Sequence, residues 1–562
     1  MSGITLKLLM DTDVSGVEQA AQAWLGLAEQ IDDTAEGLIR GTRPLEDAWP
    51  DGTAGAAAVD RAAKLRAEVS NAEPPCRRIG KQLQQFADGI QDLQELYLVV
   101  QGSAAQQGIT IDLATGTVTA SPGTVASAGR PDMVTSLVND YVTQLQDILG
   151  RAAELDASTA NLISVNLPDT STGFGTGSMS PVSEQTLRDQ AGRTPAEVAA
   201  WWSALTPQQQ EDAIQDYPEL VGWLNGVPAT DRDTANRLRL DNDQEALTVR
   251  KNAVDARILE LAMGGATNGV APSADTQELA DLLKRSEELE TQLSGLQKVE
   301  DKLGSLAADG DKAFLLGIDP TGDGKAIVAI GNPDTARHTA VWVPGLNTEL
   351  TDSPSNINRV RALQNVADSR TLAEDDVAGI FWLGYDTPEL SSDTEYNTSV
   401  ANGDRSKQGA VALDSFVDSL HATHDAGPSH VTVEGHSYGS TVVGEAAQTG
   451  DGLAADDIMT AGSPGMRTDR AENLNIDPRH VWAGEAKGDW VSGGPASWLG
   501  HGNEPGDEDF GANRYVVDTE GHSAYWSYNA DDTPTTSLLN QAKIIIGEYD
   551  SVSLEHGRAP AS

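Results

Sequence analysis

A serine stands between two glycines in Gly435-His436-Ser437-Tyr438-Gly439, and this spacing has a chemical use where it ends a strand and opens a helix. The residues before it, HVTVE from His430, alternate and carry β-branched side chains, and those after it, Ser440 to Ala447, include the small residues that suit a helix packed close behind a turn. A turn this sharp crowds its neighbours, and glycine on either side tolerates both the crowding and unusual backbone angles. Ser437 is therefore a candidate nucleophile. A serine hydroxyl is weakly nucleophilic at neutral pH. It needs a base to take its proton, a third group to orient that base, and donors aimed at the oxyanion of the tetrahedral intermediate. The spelling alone is weak in a chain with 55 glycines, and its place between strand and helix gives it weight.

The elements that would position such a serine begin near residue 313. The runs AFLLGI, KAIVAIG, HTAVWV, VAGIFWL, HVTVEG, DIMTAG, RHVWAGE and NRYVVD predict eight strands. The first two are joined by DPTGDG, whose twelfth position counted from Asp319 is Ile330 and not the glutamate of a calcium loop, so a tight hairpin turn is expected. Helix-like or loop segments separate the strands from the third onward, which predicts crossovers and a mixed, mostly parallel sheet. The expected fold class is α/β, with this eight-stranded sheet in a domain of residues 309–550 preceded by a large all-α N-terminal region.

In that region residues 12–100 read as two long helices, with Val17, Ala20, Ala21, Trp24, Leu25 and Ala28 recurring at three and four. Pro50 and Gly52 in DAWPDGTAG turn the chain back as an antiparallel hairpin. GITIDLATGTVTAS alternates around Thr115-Gly116 and predicts a small β-hairpin, after which MVTSLVNDYVTQLQDILGRAAEL is helical, closing a first domain at residues 1–164. Residues 165–183 are rich in Gly, Ser, Thr and Pro and predict a linker. A helical intermediate region, 184–308, follows. Its helix starts are marked by Thr194-Pro195 with Glu197, Thr206-Pro207 with Gln209, and Thr230 with Asp233. Residues 551–562 form a tail.

Charge and composition narrow the partners. A net charge of -47, from 85 acidic and 38 basic residues, repels nucleic acid and anionic lipid and reads as a well-solvated surface. Cys76 stands alone, so no internal disulfide forms, and no Cys/His spacing of the zinc kind occurs, so no metal is expected. No apolar run reaches the roughly 18 residues that span a bilayer, and MSGITLKLLMDTDV meets an aspartate before a secretory core develops. A soluble, cytoplasmic protein without a Sec signal peptide is expected.

The strand order resembles the α/β-hydrolase fold, in which the nucleophile follows strand five and its partners come in the order Ser, acid, His. That resemblance implies Asp489, in AKGDWV after the seventh strand, as the acid, and His522, in TEGHSAYW after the eighth, as the base. Asp456, Asp457 and Asp518 compete for the first role and His501 for the second. The oxyanion donors would be the amide of Tyr438, directly after the nucleophile, and that of Leu346 or Asn347 in VWVPGLNTEL after strand three. Substrate selection would fall to GYDTPELSSDTEYN and WVSGGPASWLGHGNEPGDEDFG, with Trp490, Trp498 and Phe510 as an apolar mouth.

A closer resemblance is to an actinobacterial family of α/β-hydrolases, catalogued as a domain of unknown function, that carries a helical region before its catalytic domain. The resembling pieces are WWSALTPQQQEDAIQDYPELVGWLNGVPATDRDTANRLRL from Trp201, then WVPGLNT, GHSYGS, AGSPG, GDWV and GHSAYW. The N-terminal helices are also similar to WXG-type proteins associated with type VII secretion, here with the longer turn Trp49-Pro50-Asp51-Gly52. Export by that route, and a homo-oligomer or helical partner bound through the N-terminal region, are what this likeness implies. The expected function is a serine hydrolase, esterase- or lipase-like, acting on a small-molecule or lipid ester without metal or organic cofactor. The alternatives are acyl transfer to an acceptor other than water, and a non-catalytic interaction or secretion-associated protein built on a quiet hydrolase scaffold.

Overall fold

Helices dominate the start of the chain, as the spacing of its apolar residues dictates, and the prolines decide where one of them breaks. In the computed structural model, which describes residues 4–48, 53–121, 131–167, 182–268, 273–373, 375–389, 403–424, 429–450, 452–492 and 501–555, helices run over Val14–Ala48, Thr53–Ser70, Glu73–Gln106 and Pro131–Asn166. The second expected helix is thus two. Pro74 and Pro75 fall in the first turn of Glu73–Gln106, where proline is tolerated; within a continuous helix they would remove backbone donors and clash with the preceding turn. The turn at residues 49–52 and most of the linker, 168–181, lie outside the described residues.

The chain divides into two compact units, Met1–Val182 with Ala246–Glu290, and Ser183–Glu245 with Thr291–Ser562. The span 184–308, read from sequence as one helical region, contributes to both. In the first unit strands β1 (Ile109–Ile111) and β2 (Val118–Ala120) pair antiparallel around the Thr115-Gly116 turn. They join a core in which Ile90, Leu93, Tyr97 and Val100 meet Tyr141, Leu145 and Ile148.

The second unit holds the sheet: β3 (Ala313–Asp319), β4 (Lys325–Ile330), β5 (His338–Val343), β6 (Val377–Leu383), β7 (His430–His436), β8 (Asp457–Ala461), β9 (Val481–Gly484) and β10 (Asn513–Arg514). Their order is β10-β9-β8-β7-β5-β6-β4-β3. β3, β4 and β6 pair antiparallel and every other neighbouring pair is parallel, so the sheet is mostly parallel as its crossovers require. Every residue of VAGIFWL in β6 is buried, the mark of a central strand covered on both faces.

Thr194 and Thr206 each form a reciprocal capping box, with Glu197 and Gln209, ahead of Pro195 and Pro207. Thr230 does not cap its helix. That helix starts at Ala229, whose N–H donates to Asp334 Oδ2 at 2.6 Å, a partner remote in sequence that outcompetes the local hydroxyl. DPTGDG forms the β3–β4 turn, where Asp319 Oδ1 accepts from the N–H and hydroxyl of Thr321. Among the described residues no helix is long and apolar enough to cross a membrane.

Candidate active site

β7 ends at His436, the helix Gly439–Ala447 begins two residues after Ser437, and the turn between them puts Ser437 at φ +55, in the left-handed region that L-residues avoid. The flanking glycines are steric requirements. A Cβ at Gly435 would lie 2.4 Å from Ser440 Cα, and one at Gly439 would lie 2.2 Å from the Val343 carbonyl oxygen. The Ser437 N–H bonds the Ala461 carbonyl at 3.1 Å, which ties the turn to the end of β8. The positive end of the Gly439–Ala447 helix faces this turn.

Gly345 brings the loop after β5 against the same serine, since an added Cβ would stand 2.7 Å from Ser437 Cβ and 3.0 Å from the Tyr438 nitrogen. The two expected donors of that loop are not equivalent. Asn347, at φ +56, spends its N–H on the Pro388 carbonyl at 3.0 Å, so its amide is not open to an oxyanion. The amides of Leu346 and Tyr438 donate to no other group among the described residues.

His522 and Asp489 come together across the loops after β10 and β9. His522 Nδ1 lies 2.8 Å from Asp489 Oδ1 and 2.9 Å from Oδ2. Asp489 is buried, which alone would raise its pKa, but hydrogen bonds from His522, Tyr525 and the Val491 N–H outweigh burial and hold it below the ordinary value. Tyr525 is a participant that sequence reasoning missed: its hydroxyl donates to Asp489 Oδ2 at 2.7 Å and accepts from the Ala486 N–H at 2.9 Å. The available signal was a hydroxyl-bearing ring three residues after His522 in the same loop.

His522 is brought to Ser437 through His436. The two imidazole centroids are 4.6 Å apart, and His436 Nε2 bonds the His522 carbonyl at 3.0 Å. His436 also stacks on Trp342 and meets the edge of Trp526, and burial, then the neighbouring His522 and Arg359, push its pKa down to about 3, so it is neutral. Glu434, two residues earlier on the same face of β7, is buried with no hydrogen-bond partner at either oxygen, and burial pushes its pKa up to about 8. No hydrogen bond joins the Ser437 hydroxyl to His522 in this arrangement; such bonds are often long without substrate and tighten when it binds.

The competing residues have other work. Asp457 accepts from His480, Trp482 and Tyr549 at the amino end of β8, Asp456 accepts the Val431 N–H, and Asp518 caps the helix Thr536–Ile545 through the N–H groups of Thr536 and Ser537. His501 is buried edge-on to Tyr438, away from any acid partner, and burial lowers its pKa to about 4. Trp490 is 64% exposed with its ring centroid 5.9 Å from that of His522, at the rim of the site. Phe510 is not part of a mouth: it is packed in the sheet core, where burying its ring gains more than lining an open cleft. Trp498 lies outside the described residues, as do residues 390–402 and 493–500 of the two loops expected to select substrate. Among the described residues no cluster of His, Cys, Asp and Glu could hold a metal ion.

A family model described as alpha/beta hydrolase matches residues 319–497, a stretch that contains Ser437 and Asp489 and ends before His522. An uncharacterized protein of Mycobacterium tuberculosis is 29% identical over 394 residues, which are 64% of this chain and 56% of that protein. An uncharacterized protein of Mycobacterium bovis is 31% identical over 199 residues, 34% of this chain and 70% of the relative. The chain therefore matches little more than half the length of the first of these relatives.

Proposed function

We propose that this chain, which belongs to the alpha/beta hydrolase family, is a serine hydrolase that cleaves a carboxylic ester or related acyl bond through an acyl-enzyme. Ser437 Oγ attacks the carbonyl carbon as its proton passes to His522 Nε2. The bond to the leaving alkoxide breaks and that proton goes with it. Water then attacks the acyl carbon, giving its proton to His522, and the acid departs as Ser437 regains its hydrogen. Asp489 fixes the imidazole so that Nε2 is the basic nitrogen, and the Tyr438 and Leu346 amides hold the oxyanion. The chemistry calls for neither metal nor organic cofactor.

The observation that carries this reading is the His522–Asp489 hydrogen bond at 2.8 Å in the loops beside a serine held at φ +55. Strain of that kind, of order 1–3 kcal/mol, persists where the surrounding structure over-determines it and is concentrated at functional turns. The test is labelling of the full chain with a fluorophosphonate, with hydrolysis of p-nitrophenyl esters of graded chain length measured alongside. Labelling of native protein that Ser437→Ala abolishes, together with ester turnover, is the expected result. A folded native protein that neither labels nor turns over any ester overturns the reading in favour of a quiet scaffold. Labelling with turnover only on adding an alcohol or amine acceptor points to acyl transfer.

A further inference from the structure

The face of the sheet opposite His436 and Trp342 carries a cavity of about 560 Å³ bordered by β3, β4, the end of β6, the helix Asp404–Thr423 and the segment around Trp223. Its floor is Trp382, which is 1% exposed and whose indole Nε1 has no hydrogen-bond partner. A buried N–H left unsatisfied costs about 1–3 kcal/mol and in native proteins calls for an explanation. Gly384 keeps the approach to that indole open, because a Cβ there would lie 2.5 Å from Trp382 Cζ2 and 3.1 Å from Nε1. The Trp223 ring forms part of the lining and is pinned by its own N–H to the Ile318 carbonyl at 2.9 Å.

The charges of the cavity are not balanced by their nearest partners. Lys325, at the start of β4, sits across from Asp319 in the strand register, yet its ammonium makes no hydrogen bond or ion pair among the described residues. Asp319 is already committed, to Thr321 at 2.7 Å and to Arg239 at 3.5 Å, and Arg239 is held in turn by Asp243 at 3.2 Å. What is left over is donor capacity: an unpaired ammonium and a buried indole N–H, beside a fixed aromatic ring. In a chain of net charge -47, such a place selects an anionic oxygen and not a cation.

We propose that this cavity binds a small organic anion, a carboxylate or phosphate ester, whose oxygens accept from Lys325 and Trp382 Nε1 and whose apolar part lies against Trp223. The site is separate from Ser437 and does not depend on Ser437 being a nucleophile.

Isothermal titration calorimetry on the full chain, with phenyl phosphate, benzoate and inorganic phosphate in turn, tests it. Saturable binding of phenyl phosphate or benzoate is expected, weakened at least tenfold by Lys325→Gln and by Trp382→Phe, and unchanged in Ser437→Ala. Preference between the two aromatic probes distinguishes a phosphate from a carboxylate ligand, and binding of inorganic phosphate alone removes the role given to Trp223. Lys325 lies at a partly exposed strand end, so its variant keeps the test decisive if the Trp382 variant melts early. No saturable binding of any probe, or binding by Lys325→Gln within twofold of native, overturns the proposal.

Discussion

His522 turns Nδ1 to both carboxylate oxygens of Asp489, at 2.8 and 2.9 Å, and this leaves Nε2 as the ring nitrogen without a protein partner among the described residues. A carboxylate in that position only accepts, so it fixes the proton on Nδ1 and makes Nε2 the acceptor.

Asp489→Asn therefore tests orientation separately from folding. An amide turned to donate toward the ring favours the opposite tautomer, and kcat on a p-nitrophenyl ester should fall by roughly a thousandfold or more. KM should stay within a few-fold and the melting temperature near native, since Tyr525 and the Val491 N–H still have an oxygen to bond. A variant with kcat within tenfold of native would remove Asp489 from the mechanism.

Tyr525→Phe deletes one hydroxyl that serves two groups. Asp489 loses a donor, so its pKa moves up and the acid limb of the activity profile shifts to higher pH. The Ala486 N–H loses its acceptor, which should lower stability by about 1–3 kcal/mol. Activity measured from pH 4 to 8, beside urea unfolding, reads both effects; a purely structural tyrosine would change the second and leave the limb where it was.

Backbone strain at Ser437 gives a prediction in which loss of function raises stability. At φ +55 an alanine bears the same left-handed cost as the native serine, whereas glycine does not. Ser437→Gly should exceed Ser437→Ala in stability by about 0.5–1 kcal/mol, although glycine in an ordinary turn or helix is the weaker residue. Differential scanning calorimetry of the two inactive variants decides it, and an alanine variant that melts higher would mean the turn is not strained.

Sequence order made the strands legible because each is a short apolar run with punctuation at its ends, and it made the turn at Ser437 legible because only glycine fits at 435 and 439. The loops that carry Asp489 and His522 could be counted along the chain in the same way. Contacts set by remote partners could not. The Asn347 amide is taken by Pro388, the helix expected to start at Thr230 is capped by Asp334, and the ring layer of Trp342, His436 and Trp526 joins three separate segments. Local patterning carries no signal for any of these, since each depends on which loop the tertiary fold brings alongside.

The amino edge of the sheet holds a second polar cluster with its own pH signature. Asp457 is fully buried, but hydrogen bonds from His430, His480, Tyr549 and Trp482 outweigh burial and hold its pKa down to about 2. The bond to Asp457 raises His480, and for His430 the same partner overcomes the opposing effect of burial. A raised histidine contributes fully below its unfolded value of about 6.5 and loses that contribution as pH rises through the folded value. The lowered aspartate contributes above about pH 4 and loses its share as pH falls toward 2. His338, whose ring is 5.4 Å from His430 and whose pKa burial lowers to about 4, costs stability only below about 6.5 and is silent on the alkaline side. The urea midpoint of native protein should thus decline from pH 6 to 9, and Asp457→Asn, itself costing about 3 kcal/mol at pH 6, should show a smaller decline. An equal decline in both would mean the two histidines are not held by Asp457.

Glu434 supplies the opposite case, a buried acid that costs stability where it should be charged. Burial lifts its pKa to about 8, whereas the unfolded chain releases the same proton near pH 4.3. Between those values the unfolded state gains by ionising and the folded state does not, so the cost grows as pH rises and levels off above about 8. Glutamine has the same shape and no proton to lose. Glu434→Gln should be no more stable than native at pH 4, where both side chains are neutral, and should become steadily more stable relative to native up to pH 8. The difference in urea midpoint at pH 4, 6 and 8 measures this directly. A difference that stays flat would mean that Glu434 ionises within the fold, which would require a partner for its charge beneath His436.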